Sequence, residues 1–258
     1  MSNRLPILFL PGDTYANRMP DPVLQQVEHF SNPGMTANDS FKPVTKYFDR
    51  ITRPEQIIQS LPQAIQTMLD PADSGPACLS LCQDVQGETF DYPEEFFKER
   101  IHNIRRPKPD DFQIKQAMEK IKKSKKPIII SGGGVFYSDA MDELGSFAIK
   151  HNIPVTQTVM GYSTMKRDHS HFLGPIGGLG GRAANNLAKE TDLAICVGTK
   201  LADFTTGSWA NFENPEFKLV SINIARHDAN KHLAEAVIGD AKVCLSELSN
   251  SLGNWKSP

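Results

Sequence analysis

The sequence predicts an α/β fold: a doubly wound parallel sheet preceded by a second, smaller α/β segment. Three observations lead there. Short, continuous apolar runs of about five residues suit strands buried on both faces. They alternate with amphipathic stretches of about a dozen residues, which suit the helices that cover such a sheet. Glycine clusters follow several of the runs, where a strand must turn into a helix.

The elements follow in order. Pro6-Ile-Leu-Phe-Leu10 reads as a buried strand, stopped by Pro11-Gly12. Tyr15 to Phe41 carries Pro20, Pro22, Pro33 and Gly34, so it reads as loop with one short helical piece near Val23 to Phe30. A helix is expected from Pro54, with Ile57, Ile58, Leu61, Ile65, Met68 and Leu69 on one face. Pro62 lacks an N–H and is expected to kink or interrupt that helix. Pro76 to Leu81 is a second buried strand. Gln83 to Pro109 is polar and aromatic, reads as a surface connection, and makes Arg105-Arg106 a solvated basic pair.

The remainder is more regular. It predicts a helix over Asp110 to Ser124, a strand over Pro127 to Ser131, and a turn at Gly132-Gly133-Gly134. A helix over Asp139 to His151 and a strand over Pro154 to Thr158 come next. A glycine-rich loop, Gly174 to Gly181, leads into a helix over Arg182 to Glu190. Strands over Leu193 to Gly198 and Lys218 to Asn223, the latter the last, precede a final helix near Lys242 to Leu252.

Composition narrows the function. The chain has 258 residues, 39% of them hydrophobic, enough for one large or two small domains. Lys and Arg total 28 against 30 Asp and Glu, a balance that argues against a nucleic-acid partner. No apolar run approaches the roughly 20 residues that cross a bilayer, and Met1 to Leu10 is a poor signal sequence, so a cytoplasmic protein is expected. Cys78, Cys82, Cys196 and Cys244 form no C-x-x-C pair; they read as small buried hydrophobes in a reducing compartment.

Candidate ligand groups lie where the strands end, because an open α/β sheet binds ligands beyond the carboxyl ends of its strands. These are Gly132, Gly133 and Gly134; Gly177, Gly178, Gly180, Gly181 and Arg182; Gly198, Thr199 and Asp203; and Asn223 with Ala225. Glycine lets backbone N–H groups approach a phosphate, which suits a dinucleotide or another phosphorylated ligand. The same glycines also suit tight turns alone. There is no G-x-G-x-x-G after the first strand and no P-loop lysine. Asp168, His169 and His171, and likewise His227, Asp228 and His232, read as polar loops rather than metal ligands, for want of a third spaced partner. Hydrolase signatures such as G-x-S-x-G and H-E-x-x-H are missing.

Taken together, the motifs resemble a known family. Lys126 to Gly134, Asp168 to Gly174 running into Gly177 to Gly181, Ala194 to Asp203, Ser221 to Ala225 and Gly239 to Lys242 stand in order. They are similar to the central domain of thiamine diphosphate-dependent enzymes of the acetolactate synthase and pyruvate oxidase group. Lys42-Pro-Val-Thr-Lys46 and Gly75 to Ser80 resemble the carboxyl-terminal part of that group's pyrimidine-binding domain. The resemblance implies three parts: residues 1–90 from the pyrimidine-binding domain, a linker over 91–109, and the central domain over 110–252. Thr14-Tyr15, Arg18 to Leu24, Gln25-Gln26, Asp49 to Gln56 and Gln83 to Glu88 are most similar to the branch that serves myo-inositol catabolism.

That branch implies cleavage of a carbon–carbon bond in a cyclic diketone to give 5-deoxy-glucuronate. The alternatives are a carboligase of the acetolactate synthase type and a non-catalytic module for nucleotide binding or assembly. In full-length members, thiamine diphosphate and Mg²⁺ are held by an early glutamate and a late G-D-G…N motif. This sequence contains no Gly-Asp-Gly. The chain is therefore expected to be an internal fragment, to bind neither thiamine diphosphate nor Mg²⁺ alone, and to carry no catalytic residue. In flavin-containing relatives, the loops matching the glycine positions above, together with Asp240-Ala241, contact FAD; in others the crevice holds ADP or nothing. The resemblance further implies a homodimer or homotetramer, with a small-molecule substrate only in the full-length enzyme.

Overall fold

A computed structural model describes residues 3–258 apart from 21, 25, 27, 28 and 30. It divides the chain into two compact units, Met1–Arg105 and Arg106–Pro258. The helical piece expected near Val23 to Phe30 lies partly outside the described residues. Within it, Gln26 forms an isolated antiparallel bridge with Thr36.

The first unit holds a small parallel sheet. Its strands are β1 (Leu8–Phe9), β2 (Gly12–Asp13), β3 (Tyr47–Ile51) and β4 (Ala77–Cys82). The central β4 pairs with β1 through Ala77 and Cys78, with β2 through Leu81 and Cys82, and with β3 along Ala77 to Leu81. The single strand expected over residues 6–10 is thus two short pieces flanking Leu10-Pro11, because a proline offers no N–H to a ladder. Helix α1 (Ile57–Leu69) packs Ile57, Leu61, Ala64 and Met68 against Ala77 and Leu79 of β4, with Leu8 and Tyr47 beside them. It runs unbroken through Pro62, contrary to the expected interruption. The apolar face buried on the sheet outweighs one missing helical hydrogen bond.

Strand β3 escaped the sequence reading because Asp49 and Arg50 sit in its middle. Both are paired within the unit. Asp49 accepts from the Ser60 hydroxyl. The Arg50 guanidinium donates to Asp13 at 2.7 Å, to Asp39 at 2.8 Å and to the Thr36 hydroxyl at 2.9 Å. Asp13 is fully buried and also accepts from the Ser80 hydroxyl at 2.5 Å. Burial raises the carboxyl pKa of both acids, but the hydrogen bonds win: Asp13 lies below its ordinary value, and Asp39 is held at about 2. In the expected linker, Tyr92 stacks on Phe96, meets Phe90 and Phe97 edge-on, and donates its hydroxyl to the Pro54 carbonyl at 3.2 Å. This stretch has packing of its own.

The second unit begins with α2 (Asp111–Lys123), capped by the Asp110 carboxylate, which accepts from the Phe112 N–H. Strand β5 (Pro127–Ser131) follows, then α3 (Gly133–Tyr137), α4 (Met141–His151), β6 (Val155–Gln157) and β7 (Phe172–Pro175). After them come α5 (Arg182–Glu190), β8 (Leu193–Val197), α6 (Asp203–Thr206), β9 (Lys218–Asn223), α7 (Arg226–Ala229), β10 (Glu235–Ile238) and α8 (Ala241–Leu252). All six strands are parallel, in the order β10-β9-β8-β5-β6-β7. The chain moves outward from β5 to β7, returns beside β5 as β8, and continues outward to β10. This is the doubly wound order, with its switch point between β5 and β8.

Alternate residues of each strand feed opposite faces. Ile129 and Ile195 join the core under α2, α4 and α8, whereas Ile128, Ile130, Ala194 and Cys196 join the core under α5. Three expectations need correction. Gly132-Gly133-Gly134 is the start of α3 rather than a plain turn. Strand β7 stands where a loop is expected, and Lys218–Asn223 is not the last strand, since β10 follows it. Both missed strands are short edge strands; β7 ends on a proline, and β10 opens on a glutamate that pairs with Lys120 at 3.0 Å. The four cysteines are buried and unpaired. Burial pushes the thiols of Cys82 and Cys244 up to about 11 and about 12, so they are unreactive at neutral pH. Among the described residues, no helix is long and apolar enough to cross a membrane.

Candidate nucleotide crevice at the switch point

Strands β5 and β8 deliver two glycine turns to the same place. The Gly132 N–H donates to the Val197 carbonyl at 2.8 Å, and the Gly134 N–H to the Gly198 carbonyl at 2.9 Å. A Cβ on Gly132 would lie 2.4 Å from the Gly198 oxygen, and one on Gly134 would lie 2.6 Å from the Gly198 Cα. Main chain packs on main chain here, and no side chain fits between. Gly198 also needs its φ of +60°.

The glycine-rich loop after β7 closes in the same manner. The Gly177 N–H donates to Asn185 Oδ1 at 2.9 Å, and the Asn185 amide returns a bond to the Gly177 carbonyl at 3.0 Å. Gly178 donates to Phe204 O at 2.7 Å, Gly180 to Gly177 O at 2.8 Å, and Gly181 to Pro175 O at 2.8 Å. Gly198 donates to Ile222 O at 2.8 Å. Apart from Gly133, whose amide opens α3, every candidate glycine donates its N–H within the protein.

The side chains are similarly engaged. Thr199 is buried, and its hydroxyl accepts from the Leu201 N–H at 3.2 Å. Asn223 donates to the Thr199 carbonyl at 3.1 Å and accepts from the Ala225 N–H at 3.0 Å, which joins the third and fourth candidate loops. Asp203 is exposed at the start of α6 and accepts from the Ser208 hydroxyl at 2.8 Å. Arg182 is exposed at the first position of α5. Asp240 is buried behind α3. It caps α8 through the Lys242 and Val243 N–H groups and forms an ion pair with Arg106 at 3.1 Å. Arg106 also donates to the Ser138 carbonyl. It is therefore a structural ion-pair partner rather than the solvated linker charge expected of it; only the buried Asp240, far along the chain, explains its position.

The histidines come to rest outside the crevice loops. His171 Nε2 meets Asn152 Oδ1 at 3.3 Å, and burial, with His169 nearby, holds its pKa below the usual value. Asp228 binds Lys231 at 2.5 Å, and the His232 ring stands edge-on to Trp209. Among the described residues, no group of three or more His, Cys, Asp or Glu could hold a metal ion. Seven of the eight candidate glycine amides are thus bonded within the protein, and Gly133, at the start of α3, is the exception. Sequence reasoning missed Asn185 and Gln157. Asn185 locks the glycine loop from within a helix; Gln157 ends β6 beside that loop.

This strand order and these turns define a known class. Residues 114–248 match the family model described as thiamine pyrophosphate enzyme, central domain, and the chain belongs to that family. It is 50% identical over 257 residues to 3D-(3,5/4)-trihydroxycyclohexane-1,2-dione hydrolase of Clostridium perfringens (strain 13 / Type A), covering 99% of this chain and 40% of the relative. The hydrolase of the same name from Bacillus licheniformis is 46% identical over 257 residues, again covering 40% of its length. The chain thus spans about two fifths of the curated relatives it matches. Among solved structures, benzoylformate decarboxylase from Polynucleobacter necessarius superposes with a TM-score of 0.72 at 20% identity, over 99% of this chain and 48% of that one. This last likeness speaks for the fold alone. Thiamine diphosphate, the cofactor that the family name brings with it, would meet a crevice in which seven of the eight glycine amides are already bonded.

Proposed function

We propose that the chain is part of a thiamine diphosphate-dependent hydrolase that opens 3D-(3,5/4)-trihydroxycyclohexane-1,2-dione to 5-deoxy-glucuronate. One observation carries this reading: the 50% identity to a hydrolase of that name extends over 99% of the chain and so runs through both units. Residues 1–90 then contribute to the pyrimidine-binding domain, and residues 110–252 form the central domain. The cofactor and Mg²⁺ belong to parts of the relatives that this chain does not span. The role of this chain's own residues is to build and brace a doubly wound unit, and no catalytic group is assigned to it. A homodimer or homotetramer in a cytoplasmic setting agrees with the reading.

The test is to express the whole reading frame to which the chain belongs, supply thiamine diphosphate, Mg²⁺ and the cyclic dione, and follow the ring-opened acid by mass spectrometry. Formation of that acid is expected. Condensation of pyruvate to acetolactate instead would favour the carboligase alternative. Turnover by the 258-residue chain alone would overturn the assignment of this chain as a non-catalytic part.

A second reading concerns the crevice. The strand order favours a dinucleotide-type site, so FAD or ADP is the ligand class to try. The internal bonding of the glycine amides supports turn-making instead. Equilibrium dialysis against FAD and ADP separates the two, and no retention is the expected result.

A further inference from the structure

Gln157 is the last residue of β6, at the carboxyl end of the sheet. It is only 5% exposed, and its Oε1 is buried without a hydrogen-bond partner. Buried amide oxygens nearly always have one, because leaving the water shell uncompensated is costly. Gln157 also lines a solvent-open pocket of about 410 Å³ together with Tyr162, Arg167, Phe172, Gly174 and Pro175. None of these belongs to the glycine set of the crevice.

The walls state what would fit. The Arg167 guanidinium donates to the Tyr162 hydroxyl at 2.8 Å and lies 5.9 Å from that ring's centroid. Tyr162 takes one of its N–H donors, and a guanidinium carries five, so donors remain for an anion. The Gln157 amide can turn to present oxygen or NH₂, and a hydroxyl, both donor and acceptor, matches either. Phe172 and Pro175 offer apolar surface for a short carbon skeleton.

We propose that this open pocket binds a small hydroxylated anion, with its hydroxyl on Gln157 and its carboxylate or phosphate on Arg167. The inference does not depend on the activity proposed above. Isothermal titration of the chain with D-glycerate, glycerol 3-phosphate, acetate and glycerol tests it. D-glycerate or glycerol 3-phosphate is expected to bind at least about tenfold tighter than acetate, which lacks the hydroxyl, and glycerol, which lacks the charge. Binding of D-glycerate alone identifies a carboxylate ligand, and of glycerol 3-phosphate alone a phosphate ligand. Arg167→Gln and Gln157→Leu are each expected to weaken that binding by about tenfold or more. Arg167 is exposed, so its variant is expected to fold; Gln157→Leu removes an unpaired buried amide and is expected to melt no lower than the parent. No saturable binding of either probe overturns the proposal, as does affinity unchanged in either folded variant or matched by acetate or glycerol.

Discussion

At the scale of single residues, the glycines of the second unit fall into two kinds, and substitution separates them. Gly198→Ala would place a Cβ 2.6 Å from the Gly134 Cα at a φ of +60°, and Gly177→Ala would place one 2.0 Å from the Phe204 oxygen at a φ of +103°. Each is expected to cost about 2 kcal/mol or more in urea unfolding, from combined backbone strain and overpacking. Gly178→Ala finds only ordinary contact at 3.8 Å and no positive φ, so its midpoint should stay within about 0.5 kcal/mol of the parent. Asp240→Ala removes the α8 cap and leaves Arg106 without its carboxylate. A loss of about 1–3 kcal/mol is expected, with Asp240→Asn recovering part of it through the cap alone. Unchanged stability in Asp240→Ala would mean that neither contact matters in solution.

At the scale of elements, α1 carries a proline that its packing tolerates rather than requires. Pro62→Ala restores an N–H facing the Ile58 carbonyl and is expected to stabilise the helix by about 1–3 kcal/mol, read from the shift in urea midpoint. A loss of stability would instead show that the half-buried ring packs better than a methyl. The same scale shows what the sequence could disclose. Pro127–Ser131, Leu193–Val197 and Lys218–Asn223 are readable as strands because each is built on a short cluster of apolar residues, and all but Lys218 are buried. Tyr47–Ile51 and Glu235–Ile238 are not, because their charges are settled by distant partners: Arg50 by Asp13 and Asp39, Glu235 by Lys120. The site divides similarly. Gly132 and Gly198 announce themselves as glycines, yet that each excludes a side chain from the other is a fact of tertiary structure. Gln157 reads as an unremarkable polar residue ending a strand, and only the packed structure leaves its oxygen alone.

At the scale of the whole molecule, acid is expected to act first on the network in the first unit. Asp39 lies at about 2 against an ordinary value of 3.8. Its folded pKa is the lower one, so its contribution is full above about pH 4 and is lost as pH falls through about 2. Asp13 shifts in the same direction. The thermal midpoint of that unit should fall over this window, by the equivalent of about 1–2 kcal/mol for Asp39 after solvent screening. Asp39→Asn, which cannot titrate, should flatten the profile below pH 4; a slope as steep as the parent's would remove Asp39 from the account.

The internally bonded turns of the second unit carry a consequence for its motions. An amide that donates to the protein cannot trade its hydrogen with solvent until the turn opens. The N–H groups of Gly132, Gly134 and Gly198 bridge β5, β8 and β9 across the centre of the sheet. They should exchange with deuterium as slowly as the strands themselves and at the same pace with or without added nucleotide. A segment that rests on its own backbone keeps time with the core, so the end of the sheet where relatives of this fold receive their ligands is here among the last regions to loosen.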